Sequence, residues 1–181
     1  MLSSNSTSLV TFLRSVPVFG GLEGHSLDRL IDLLEERSFE TGETIFAEGE
    51  LGRTMYVLRD GEVEVSRRSD TGHRVPIVRL GSGETFGEMT LVELQPRSGT
   101  VVARKKARTY SLTNMDLYNL YREDNYAYVI ILQNICRMLS RRLRKADSRI
   151  VEFIDAVSTP KRPKSKGGAA KSGSKKAAKK R

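Results

Sequence analysis

Between Phe86 and Thr100 the chain places a small set of side chains whose types and spacing suit a phosphorylated sugar: Phe86-Gly87-Glu88-Met89-Thr90, a short spacer, then Pro96-Arg97-Ser98. Gly87 lets the backbone approach a ligand closely. A short helix opening there would aim the N–H groups of Glu88, Met89 and Thr90 at an anion. Arg97 adds a permanent planar cation that can give two parallel hydrogen bonds to phosphate oxygens, a geometry lysine cannot copy. Pro96 sets the backbone just before it, and Ser98 offers a further hydroxyl. Glu88, acceptor-only when ionised, suits a sugar hydroxyl and would be repelled by the phosphate itself. A single arginine or a lone Phe-Gly-Glu is commonplace. The combination describes a sugar phosphate.

These residues need a frame. Ser26 precedes Leu27, Leu30, Ile31 and Leu34 at helical spacing, which predicts an amphipathic helix. Strands follow. Glu62-Val63-Glu64-Val65 alternates with period two, and Asp60-Gly61 before it reads as a tight hairpin. Arg67-Arg68-Ser69-Asp70-Thr71-Gly72 reads as a solvated hairpin tip. Val75–Leu80, Gly99–Ala103 and Ala107–Leu112 supply further strands on either side of the phosphate stretch. The acidic pair Glu35-Glu36 is expected on a solvated helix face. Thr113 with Asp116 three residues on resembles a capping box, so helix resumes there. The expected fold is α+β: an antiparallel double-sheet, jelly-roll-like β-roll with N-terminal helices and a long C-terminal helix. A closed roll hides strand edges and leaves a mouth for a ligand.

In that last helix, Leu132, Cys136, Leu139, Leu143, Ala146, Ile150, Phe153 and Val157 succeed one another at spacings of four and three. Packing of an amphipathic helix on its own roll gives such a pattern. A seam held for more than three heptads, flanked by Arg141, Arg142, Arg144 and Arg149, favours a parallel pairing of two copies. A homodimer is the expectation.

The stretch from Phe86 to Thr100 resembles the binding cassette of the cyclic nucleotide-binding domain family, to which catabolite activators and protein kinase A regulatory subunits belong. The likeness continues upstream in Phe12–Leu22, Thr41–Glu50 and Met55–Val65 and covers roughly residues 9–157. It implies a 3′,5′-cyclic nucleotide ligand held by Phe86, Gly87, Glu88, Met89, Thr90, Arg97 and Ser98, and a final helix that closes over the base. That helix resembles the catabolite activator type through Ser140-Arg141-Arg142-Leu143. In those proteins a pair of hydroxyl residues shortly afterwards reads adenine; here Ala146 and Asp147 stand in that place. Asp147 could accept one bond from an adenine amino group or two from guanine, or simply pair with Arg144 or Arg149 in solvent. Cyclic AMP is the first choice of ligand and cyclic GMP the competitor.

Charge divides the chain. From Lys161 onward there are ten Lys or Arg and no acid, so removing them from the formal +9 of the 181 residues leaves a body near −1. That segment has no large apolar residue and is expected to be disordered. The organisation read from sequence is therefore a disordered 1–8, a ligand-binding domain over 9–157 and a disordered, Lys-rich 158–181. A helix-turn-helix is not expected after residue 157, because the remaining residues lack its apolar positions. One cysteine, Cys136, argues against a disulfide framework, and the separated His25 and His73 make no metal site. The N-terminus lacks the features of a signal peptide, and no apolar run is long enough to cross a bilayer, so a cytoplasmic location is expected. Nothing suggests catalysis. The expected function is a sensor or regulatory protein acting on an unknown protein effector. The alternative is a nucleotide-responsive polyanion binder whose basic tail docks on nucleic acid or anionic membrane.

Overall fold

The computed structural model describes residues 4–93 and 95–158. The Lys-rich segment lies outside them, as does the expectation attached to it. Helix α1 (Ser4–Ser15) takes in part of the first eight residues. A single 3-10 turn (Pro17–Phe19) leads to α2 (Gly24–Leu33), which is preceded by Glu23 as N-cap. Ser26 therefore sits inside the helix, and its hydroxyl donates to Asp124 at 2.6 Å instead of capping. Glu35 and Glu36 are exposed but belong to strand β1 (Glu35–Phe39), not to a helix face. β1 was hidden because its sequence, Glu-Glu-Arg-Ser-Phe, has no apolar alternation to read.

Strands β2 (Thr44–Phe46), β3 (Thr54–Arg68), β4 (Arg74–Leu80), β5 (Thr85–Phe86) and β6 (Thr100–Thr113) join β1 in one connected antiparallel sheet of order β1-β6-β3-β4, with β2 on β6 and β5 on β3. The roll depends on the two long strands. β6 carries β1 along Ala107–Ser111 and β2 at Val101–Val102. β3 pairs with β6 along most of its length and also carries β4 and β5. The hairpin expected at Asp60-Gly61 is absent: β3 continues through it. Gly61 has φ +96°, and a Cβ there would meet the Lys106 carbonyl and lie 2.7 Å from Ala107 Cα. The register of β3 against β6 shifts on both sides of this point, so the glycine marks a bulge that bends the strand. The hairpin tip falls at Ser69–Gly72, where Ser69 N–H donates to the His73 carbonyl at 2.8 Å.

Period-two alternation gives the sheet two apolar faces. Met55 and Val57 of β3, with Tyr110 and Leu112 of β6, pack against the helices; Leu58, Val63, Val101, Ala103 and Ala107 fill the roll with Phe46, Leu80 and Phe86. Helix α3 (Met89–Val92) is one short turn between β5 and β6. Helix α4 (Asn114–Glu123) begins on the expected cap, a complete capping box between Thr113 and Asp116. Helix α5 runs without interruption from Asn125 to Ser158. Residues up to Arg142 belong to the body, and residues from Leu143 form a second unit. Within the body, Ala127, Ile131 and Ile135 form the buried stripe, and Asn134 fastens the helix by donating to the carbonyls of Gly20 at 2.8 Å and Val18 at 3.2 Å. This stripe is distinct from the predicted seam. Along that seam Leu132 and Leu139 are half-buried and Cys136 is exposed, while Leu143, Ile150 and Phe153 retain 64%, 56% and 69% of their surface. Among the described residues no helix is long and apolar enough to cross a membrane.

Candidate functional site

The predicted stretch folds around a cavity of about 140 Å³. Its apolar walls are Phe46 (β2), Val65 (β3), Val78 and Leu80 (β4), Phe86 (β5) and Val101 (β6). Phe86 stacks on Tyr56 at 5.2 Å and belongs to the roll's core, so its part is to shape the wall. Gly87 has φ +76°, the left-handed backbone that turns the chain from β5 into α3. A Cβ there would lie 2.7 Å from Arg97 Nη1 and 3.0 Å from the Thr54 carbonyl, so glycine is required twice over.

Arg97 is held on all sides and is only 6% exposed. Its backbone is pinned by two hydrogen bonds, Arg97 N–H to the Glu50 carbonyl at 2.8 Å and Gly49 N–H to its own carbonyl at 2.9 Å. The guanidinium lies over the Phe46 ring, 4.0 Å from its centroid. Nη1 donates to the Gly87 carbonyl at 3.1 Å and to Thr90 Oγ1 at 3.2 Å, and Nη2 donates to the Thr54 carbonyl at 2.8 Å. Thr90 in turn donates to the Gly87 carbonyl at 3.0 Å, which ties α3 to its own entry. All three acceptors are neutral, so the cation is solvated by dipoles, and it forms no ion pair among the described residues. Burial lowers the Arg97 pKa against the pull of Tyr56, Glu50 and Glu88, a shift that leaves a guanidinium protonated.

Glu88 is the second buried charge, at 3% exposure. Oε1 accepts from Arg142 Nη1 at 2.5 Å, while Oε2 is buried without a hydrogen-bond partner among the described residues. An unpartnered carboxylate oxygen is costly, and such an orphan facing a cavity marks a place for a donor. Burial raises the Glu88 pKa; Arg142, a backbone N–H and Arg97 act in the opposite direction. Arg142 completes its own bonding by donating to the Thr85 carbonyl at 2.6 Å.

The structure thus brings Phe86, Gly87, Glu88, Met89, Thr90, Arg97 and Ser98 to one cavity. Met89 is partly exposed at the rim, and the exposed Ser98 hydroxyl lies 3.6 Å from its sulfur. Asp147 is outside the unit that holds this cavity and is an exposed residue of the second unit. Sequence reasoning missed Arg142, which joins Arg97 as a second cation at the cavity. A signal existed: Ala127, Ile131, Ile135, Met138 and Arg142 follow one another at spacings of four and three, so Arg142 continues the stripe that packs on the body.

Arranged this way, the site offers a buried cation with spare donors and, beside it, a buried acceptor with a spare oxygen. The two complement a phosphate joined to a hydroxyl-bearing sugar. The family model described as "Cyclic nucleotide-binding domain" matches residues 36–124. The cyclic AMP receptor protein of Thermus thermophilus is 32% identical over 139 residues, which are 75% of this chain and 61% of that protein. The crystal structure of the Thermus thermophilus catabolite activator protein superposes with a TM-score of 0.67 at 31% identity, covering 76% of this chain and 62% of that one. The cGMP-dependent protein kinase 2 of Homo sapiens is 34% identical over 110 residues, 60% of this chain but 14% of the kinase. The chain spans about three fifths of the length of the bacterial relative it matches. The roll and these likenesses together identify a cyclic nucleotide-binding domain in the chain, matched by the family model over residues 36–124.

Proposed function

We propose that the protein is a sensor that binds a 3′,5′-cyclic nucleotide at the Glu88–Arg97 cavity and passes the signal on through α5. The observation that carries this is the orphan Oε2 of Glu88, a buried acceptor beside a buried arginine whose charge no carboxylate among the described residues neutralises. The cyclic phosphate sits against Arg97 with help from Ser98 and the N–H groups of Glu88, Met89 and Thr90, and the ribose hydroxyl donates to Glu88. The cavity is smaller than the roughly 300 Å³ at which enclosed ligand sites begin. Ligand entry therefore widens the mouth. Arg142 is the group placed to yield, since its side chain is 40% exposed and it bonds the very carboxylate the ribose needs. Cyclic AMP is the first choice and cyclic GMP the competitor. Calorimetric titration with cyclic AMP, cyclic GMP and a cyclic dinucleotide decides among them, and binding of none of the three removes the reading.

The output we propose is a homodimer formed along the exposed seam of α5, presented to a protein effector. The exposure of Leu143, Ile150 and Phe153 supports it, because an apolar stripe of this length is costly to leave in water. Leu143→Asp and Ile150→Asp each place a charge in that seam and are expected to turn a dimer into a monomer by light scattering. A parent protein that is monomeric at high micromolar concentration defeats the dimer.

A further inference from the structure

We propose that Gly52, in the β2–β3 loop and outside the Phe86–Thr100 stretch, is a positioning residue for phosphate recognition, its missing side chain forming one wall of the slot in which Arg97 lies. The inference rests on the cyclic nucleotide reading of that cavity.

A Cβ built on Gly52 would fall 2.5 Å from Arg97 Cζ and 2.7 Å from Nη2, and closer still to Nε. Side-chain carbons do not approach other atoms that closely, so a methyl there would displace the guanidinium from the bonds that hold it to Gly87, Thr90 and Thr54. The backbone of Gly52 is not in the left-handed region, unlike Gly87. Strain therefore gives no reason for glycine at 52. The arginine does.

The donors of Arg97 show what this clearance is for. Nη1 is committed to Gly87 and Thr90, and Nη2 gives one hydrogen to Thr54. The side facing Gly52 carries Nε–H and the remaining Nη2–H, for which the structure records no acceptor among the described residues. Two adjacent donors of this kind form the fork that matches two phosphate oxygens. A side chain at residue 52 would either expel the guanidinium or cover the fork. With Phe46 below and Gly87 at the Nη1 edge, Gly52 completes a slot shaped to one orientation of the arginine plane.

The test is a cycle on the full chain: Gly52→Ala, Arg97→Ala, the double variant, and Gly81→Ala as a control, because a Cβ at Gly81 meets nothing within 4 Å. Affinity is read by calorimetry with cyclic AMP and cyclic GMP, and stability by thermal melting. Gly52→Ala is expected to weaken nucleotide binding about tenfold or more and to lower the melting temperature. In the Arg97→Ala background it should do neither, and Gly81→Ala should do neither in the parent. If Gly52→Ala alone fails to fold, recovery of folding in the double variant supports the proposal and failure to recover overturns it. Parent-like affinity of Gly52→Ala, or an equal loss of stability in both backgrounds, also overturns it. If the parent binds neither nucleotide, the cyclic nucleotide reading falls; the coupling between residues 52 and 97 in the melting data still decides the slot on its own.

Discussion

The two ends of the cavity solve the burial of charge in opposite ways. At the Arg97 end a cation is surrounded by neutral oxygens and an aromatic face, all fixed by backbone that has little freedom to move. At the Glu88 end an anion is paired with a long, half-exposed side chain from another element, and one of its oxygens is left unsatisfied. The first is a preformed receptacle; the second is a contact that a competitor can take over. Burial alone does not tell the two apart, since both residues are more than nine-tenths hidden. The nature of the partners does.

The comparison is sharpest at Arg97. Arg97→Ala leaves the roll's apolar core in place and removes the phosphate partner proposed for the cavity, so nucleotide affinity should fall by about 2–5 kcal/mol, roughly thirtyfold at least. Calorimetry showing parent-like affinity would mean that the phosphate is held elsewhere. Glu88→Gln should act more mildly, by about 1.5–3 kcal/mol on ribose-bearing ligands, because an acceptor remains but its charge is gone. A nucleotide lacking the 2′-hydroxyl should bind the parent and Glu88→Gln equally well. If it distinguishes them, the carboxylate is not the ribose acceptor.

The smallest expected effect is on stability. Burial holds the Glu88 carboxyl above its ordinary range even with Arg142 beside it. A raised value in the folded state means that its contribution is complete below the ordinary carboxylate range and is lost as pH climbs through the raised value. Arg142→Ala removes the main opposing charge and should cost about 1–2 kcal/mol at neutral pH, a modest figure because Arg142 is partly solvated. Melting temperatures of that variant should rise as pH is lowered from 7 towards 5. Adding Glu88→Gln should flatten the dependence; a slope that survives assigns it to another group.

Much of this was legible beforehand because the informative residues are of rare types at short spacing. Gly87, Glu88 and Arg97 lie within eleven positions, and Thr113 with Asp116 forms the capping box their spacing announced. What escaped was non-local. Arg142 lies 54 residues from Glu88, and nothing in a local window separates an arginine that turns inward from its neighbours Arg141 and Arg144. Asp60-Gly61 carried a turn signal, yet pairing with β6 kept the strand going and spent the glycine on a bulge, an outcome set by a strand some 45 residues away. β1 gave no sign of itself because its pairing with β6, not its side chains, makes it a strand.

The acceptors that hold the two arginines have a consequence for how such a site can vary. Arg97 is received by the main-chain oxygens of Thr54 and Gly87, and Arg142 by that of Thr85. No substitution can delete a carbonyl, so the side chains at 54 and 85 are free to drift without removing an acceptor, whereas Gly87 is barred from drifting by its own backbone angle. Sequence divergence at this cavity should therefore be lopsided: a few invariant letters set among neighbours that change readily while performing the same task.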